Sequence, residues 1–139
     1  MNISKVIEST FKRAKEKNWD YVVFLVDIHD TIFKGTYSNI ENFEYIGKAK
    51  EALQLMSSRP DIRIILWSST YNKNKYILQL YKDNINIDAF NRNIQDIQNT
   101  DIACFNEKPF FSIGIDNAFG FDPENDWEEV IEALNKNRL

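Results

Sequence analysis

Two hydrophobic periods alternate along this chain. From residue 3 to 17 the apolar positions Ile3, Val6, Ile7, Phe11 and Ala14 recur three or four apart among Lys and Glu, which predicts an amphipathic helix ending near Asn18. Residues 21 to 26 (YVVFLV) are continuously apolar, as in a strand buried on both faces of a parallel sheet, and they stop abruptly at Asp27, His29, Asp30 and Thr31. Residues 33 to 40 (FKGTYSNI) carry no helical period and predict a loop or short irregular hairpin. Over 41 to 58, Phe43, Ile46, Ala49, Leu53 and Met56 return to helical spacing until Arg59-Pro60 stops the helix.

The cycle then repeats. Ile62 to Trp67 predicts a second strand opening onto Ser68, Ser69 and Thr70, and residues 72 to 83 predict a helix burying Tyr76, Ile77, Leu80 and Tyr81. Ile85, Ile87, Ala89 and Phe90 alternate as a short third strand, and the polar stretch 91 to 106 predicts loop with room for one helical turn. Phe110 to Ile115 predicts a fourth strand ending on Asp116 and Asn117. Asp126 with Glu129 three residues on has capping-box spacing for a last helix with the stripe Val130, Ile131 and Leu134. Alternating strands and helices predict an α/β fold: a three-layer sandwich with a Rossmann-like, mostly parallel sheet and helices on both faces, as a single domain over 1–139.

Composition narrows the function classes. A formal charge of −4, from 17 basic and 21 acidic residues, makes long nucleic acid and anionic membrane surfaces disfavoured partners. The basic residues of the first helix, Lys12, Arg13, Lys15 and Lys17, read as a solvated face. The single cysteine, Cys104, forms no internal disulfide, and no leader pattern or membrane-length apolar run is present, so a cytoplasmic protein is expected. Nothing in the sequence indicates an oligomeric state.

Parallel strands bind ligands at their carboxyl ends, so Asp27, His29, Ser68, Lys108, Asp116 and Asn117 are candidates for one crevice although they span ninety positions. Asp27, His29 and Thr31 at the first strand end, then Ser68, then Lys108, then Asp116 and Asn117 follow an order that resembles the haloacid dehalogenase-like hydrolase superfamily. The tail KPFFSIGIDNAFGFDPENDW is similar to small phage and bacterial members with no substantial cap domain.

That resemblance implies a Mg²⁺-dependent phosphohydrolase acting on a small phosphorylated substrate. Asp27 is then the nucleophile that forms an aspartyl-phosphate, and Asp27, Asp116 and the backbone carbonyl of His29 hold Mg²⁺, with Asn117 orienting Asp116 or a metal-bound water. Ser68 donates to a phosphate oxygen, and Lys108 neutralises the phosphate and the nucleophile. His29 stands where the family places its acid/base Asp, and its imidazole titrates near neutrality. Asp30, where Gly is usual, is one residue out of register as a substitute acid. The alternative expectation is a metal- and phosphate-binding protein with weak or no catalysis, because that Asp is missing. Tyr37, in the loop over the crevice, is a candidate for substrate contact.

Overall fold

A computed structural model describes residues 1–35 and 42–139. Tyr37 and most of the loop expected over 33 to 40 lie outside the described residues. Helix α1 (Ile3–Glu16) begins at Asn2, whose side chain accepts from the Lys5 N–H, and it buries Ile3, Ile7, Phe11 and Ala14 as its period predicts. Strand β1 (Val22–Asp27) leads through an irregular segment to α2 (Ala49–Ser58). Strand β2 (Ile62–Trp67), α3 (Lys73–Lys82), β3 (Ala89–Phe90), β4 (Ile113–Ile115), a 3-10 turn over Asn117–Phe119 and α4 (Asp126–Lys136) complete the chain.

The four strands form an all-parallel sheet in the order β3-β2-β1-β4, so the protein has the Rossmann-like α/β class that the alternation predicts. Val22, Phe24 and Val26 face the larger core with the buried residues of all four helices, whereas Val23 and Leu25 face a second cluster. Ile94, Ile97, Phe110 and Phe111, from the crossover between β3 and β4, cover that face of the sheet.

Several elements are shorter than their periodicity predicts, and hydrogen bonding explains each. Helix α2 starts at Ala49 and not near 41, because residues 44 to 46 pair with residues 32 to 34: Lys34 N–H donates to Glu44 O, Ile46 N–H donates to Ile32 O, and Phe33 bridges Tyr45 in antiparallel sense. Phe43 and Tyr45 thereby wrap the buried Phe33 ring instead of a helix face. The third strand keeps only Ala89–Phe90, since the Ile85 N–H closes the end of α3 on Leu80 O. The fourth begins at Ile113, because the Phe110 N–H donates to Asn93 Oδ1 outside the ladder. Tyr81 is exposed on α3, not buried. Asp126 is the first residue of α4 and not its cap; its carboxylate instead accepts from the Asp122 N–H at 2.8 Å.

Gly47 joins this segment to α4. Its φ is +53°, and a Cβ there would meet Pro123 O at 2.5 Å. Gly47→Ala is therefore expected to cost about 2 kcal/mol or more, from the left-handed backbone and the clash together. Urea denaturation measures it, and a loss under about 0.5 kcal/mol would contradict the packing described.

Candidate active site

Backbone register assembles the site. Val26 pairs with Ile115 and Asp27 with Trp67, so Trp67 on β2 flanks Asp27 on the central strand on one side, and Asp116, directly after β4, follows on the other. Side chains two residues apart on a strand share a face. Asp27 follows Leu25, Trp67 follows Ile65 and Asp116 follows Gly114, and all three predecessors lie on the second face of the sheet.

Asp27 is half-buried and its carboxyl is pushed above the ordinary range, first by burial and then by the charge of Asp116. The Thr31 hydroxyl, the Ile28 N–H and the His29 imidazole pull the other way without cancelling this. Thr31 is the clamp. Its Oγ1 is 3.0 Å from Asp27 Oδ2 and 3.2 Å from Asn117 Oδ1, and it accepts from the Asn117 N–H at 3.1 Å. The hydroxyl has one proton to give, and the carboxylate is the stronger acceptor. The fully buried Trp127 of α4 fixes Thr31 in turn, donating from Nε1 to its carbonyl at 2.8 Å. Asp116 caps the 3-10 turn by accepting from the Ala118 N–H on Oδ1, and among the described residues Oδ2 makes no hydrogen bond.

Ser68 continues the crevice beside β1. Its backbone is clamped by Asn91, which accepts the Ser68 N–H at 2.8 Å and donates to the Ser68 carbonyl at 2.6 Å. Asn91 does so from a left-handed backbone with φ +54°. Ser68 Oγ accepts from the Thr70 N–H at 3.2 Å, which leaves its own proton available for an acceptor in the crevice.

The other two candidates sit differently. The half-buried His29 turns toward α3, with Nε2 3.0 Å from Tyr76 Oη and the two rings edge-to-face at 5.4 Å. Lys108 is exposed, with its ammonium 5.9 Å from the centre of the Phe111 ring, and among the described residues it pairs with neither Asp27 nor Asp116. The Phe111 ring lies over Gly114, so Lys108 is on the site's face, at the level of Leu25. Asp30 takes the left-handed conformation that Gly would, with φ +58°, and its Oδ1 accepts from the Gly35 N–H at 2.9 Å. It is a turn residue, which accounts for its place in the motif.

The donor set suits a hard cation. Two carboxylates follow neighbouring strands, one raised by burial and then by the other's charge, and a half-buried arrangement of this kind is relieved by positive charge. Among the described residues no three His, Cys, Asp or Glu side chains cluster, so a cation held here would have two carboxylates at most and would keep several waters, as Mg²⁺ does. Sequence reasoning missed Asn91 and the Trp127–Thr31 contact, which depend on tertiary packing. The Asp27–Thr31 spacing was the one visible hint.

These features define a Rossmann-like α/β protein with two carboxylates, Asp27 and Asp116, at neighbouring strand ends. No protein-family model matches the chain, and no curated protein matches it. Among solved structures it is similar to a conserved protein coded by a locus of Bacteroides thetaiotaomicron, with a TM-score of 0.65 and 23% identity over 86% of this chain and 93% of that one. At that identity the likeness speaks for the fold alone. No helix among the described residues is long and apolar enough to cross a membrane.

Proposed function

We propose that this protein is a Mg²⁺-dependent phosphohydrolase acting on a phosphate monoester through an aspartyl-phosphate on Asp27. The observation that carries the reading is the register that sets Asp27 beside Asp116, with the Asp27 carboxyl raised by burial and by that second charge. Bound Mg²⁺ would supply the countercharge that returns Asp27 to its carboxylate and neutralises the phosphate. Thr31 holds one Asp27 oxygen and so fixes the carboxyl whose other oxygen is the nucleophile in this reading. That oxygen attacks phosphorus in line, the bond from phosphorus to the ester oxygen breaks, and the leaving oxygen takes a proton from water. Water then attacks the aspartyl-phosphate, releasing inorganic phosphate and restoring Asp27. Ser68 donates to a phosphate oxygen, and the exposed Lys108 would swing in from beside Phe111 to neutralise it.

A beryllium fluoride adduct on Asp27 together with Mg²⁺-dependent turnover of p-nitrophenyl phosphate tests this reading, with Asp27→Asn expected to lose both. A protein that binds Mg²⁺ yet turns over nothing in a broad panel of phosphate esters overturns it.

One observation favours a second reading, a metal- and phosphate-binding protein with little turnover: the His29 ring is engaged by Tyr76. Exchange of His29 for Asp separates the two. A carboxylate is too short to reach Tyr76 as the imidazole does and stays beside the crevice, so the rate is expected to rise on the order of 100-fold, the usual worth of a placed general acid/base. A fall in rate would make His29 itself the working group.

A further inference from the structure

Large exposed aromatics gather around the candidate site. Trp67 is 42% exposed, Phe119 63% and Tyr71 fully exposed, and of the exposed large aromatics among the described residues only Tyr81 lies elsewhere, on α3. Apolar residues scattered singly on a surface need no explanation. These are placed about one carboxylate. Trp67 is the register partner of Asp27 and projects on the same face of the sheet, on the β2 side. On the β4 side, the Phe119 ring lies within 4 Å of where a Gly114 Cβ would stand, above the strand that delivers Asp116. A Cβ at Gly114 would be in ordinary van der Waals contact with the Phe111 ring at 3.6 Å and the Phe119 ring at 3.8 Å. Tyr71 lies in the turn that leaves Ser68, at the same end of the sheet.

From this we infer that the crevice takes phosphomonoesters whose organic part is a flat aromatic ring system, stacked on Trp67 or Phe119 while the phosphate meets Asp27. The inference rests on the phosphohydrolase reading for its phosphate end only. Adjacent strands stand about 4.8 Å apart, so an aromatic platform one strand from the nucleophile suits a ring joined to phosphate by a short linker. Stacking accepts any flat π face, because it depends on area and polarisability and not on a hydrogen-bond pattern. Two sources share this chemistry, a nucleoside monophosphate and an aryl phosphate. The chain's net charge of −4 favours such a monomer over a nucleic-acid strand end.

The test uses the full chain with Mg²⁺ and four probes: adenosine 5′-monophosphate, O-phosphotyrosine, ribose 5-phosphate and glycerol 3-phosphate. Steady-state kinetics are expected to favour one or both aromatic esters over the aliphatic pair. Trp67→Ala or Phe119→Ala is expected to raise KM for the aromatic esters about tenfold and leave the aliphatic ones within about twofold. A preference for adenosine 5′-monophosphate or for phosphotyrosine tells which source is meant. Equal kcat/KM for aromatic and aliphatic esters, unchanged in both variants, overturns the inference while leaving the phosphohydrolase reading intact. If no ester is turned over, that reading fails by itself, and binding measured by isothermal titration calorimetry decides the inference: an affinity for adenosine 5′-monophosphate that falls about tenfold in Trp67→Ala or Phe119→Ala supports it, and an affinity unchanged in both variants overturns it. Both side chains are exposed, so the variants are expected to fold, which circular dichroism verifies.

Discussion

Asp27→Asn is expected to abolish phosphate-ester turnover and, in the same protein, to raise the melting temperature by a few degrees in the absence of Mg²⁺. Loss of activity follows because an amide is too weak a nucleophile to form the phospho-enzyme. The gain in stability follows from the same geometry. Burial first, and the charge of Asp116 second, raise the Asp27 carboxyl above its unfolded value, so the native state holds that proton more tightly than the unfolded chain. Stability therefore falls as pH rises from the ordinary carboxylate value, about 3.9, through the raised one, and the cost is fully present above it. Asn cannot ionise, and its amide oxygen can keep the Thr31 hydrogen bond. The variant escapes the cost.

Mg²⁺ adds a second arm to this result. A cation that binds the folded wild type only should raise its melting temperature with concentration, and Asp27→Asn should lose most of that response. Thermal melts of both proteins, with and without Mg²⁺, separate a functional carboxylate from a structural one. A structural Asp27 would lose stability on substitution, and that outcome would remove the main support for a catalytic centre here. Stability given up at a strained charged site is the usual cost of preorganised chemistry.

The strands and their polar ends were legible in the sequence because their signals are local. Continuous apolar runs such as YVVFLV mark a strand buried on both faces, and Asp27, Ser68 and Asp116 each follow such a run directly. The parallel order then brings Asp27 and Asp116 together without further information. What was not legible depends on partners distant in sequence. Phe43 and Ile46 have helical spacing, yet residues 44 to 46 spend their hydrogen bonds on residues 32 to 34, and no local pattern announces that competition. The side chain of His29 is settled by Tyr76, 47 residues away, and the backbone of Ser68 by Asn91, 23 residues away. Trp67 shows in the sequence only as the end of a strand, and its significance lies in its register partner Asp27.

The other large effect is expected at Arg59, which the sequence shows only as the end of a helix. Its guanidinium is 4% exposed and binds Asp61 in a fork, Nε to Oδ1 at 2.9 Å and Nη2 to Oδ2 at 2.7 Å. It also donates to the carbonyls of Leu134 and Asn137 and lies 5.6 Å from the centre of the Phe11 ring, while Asp61 Oδ2 accepts the Leu139 N–H. One side chain thus ties the α2–β2 turn to α1 and to the end of α4. Arg59→Ala would leave a buried carboxylate and two carbonyls without that partner, at a cost of about 3–5 kcal/mol in urea denaturation at neutral pH. For a domain this size that is a fall of roughly 10 °C in melting temperature. The pH dependence should also change sign. Burial alone would raise the Asp61 carboxyl, but the hydrogen bonds from Arg59 and Leu139 outweigh it and hold it below the ordinary range. In the wild type this contribution is complete above about pH 4 and is lost as pH falls through the lowered value. Without Arg59 burial dominates, the carboxyl rises above its unfolded value, and acidification relieves the penalty, so the deficit of the variant should shrink between pH 7 and pH 4. Arg59→Met combined with Asp61→Leu should recover much of the loss, because an apolar pair of similar size has no charge to desolvate. A deficit below about 1 kcal/mol at pH 7, or one that grows on acidification, would mean that Arg59 is not the tie between α2, α4 and the carboxyl-terminal residues.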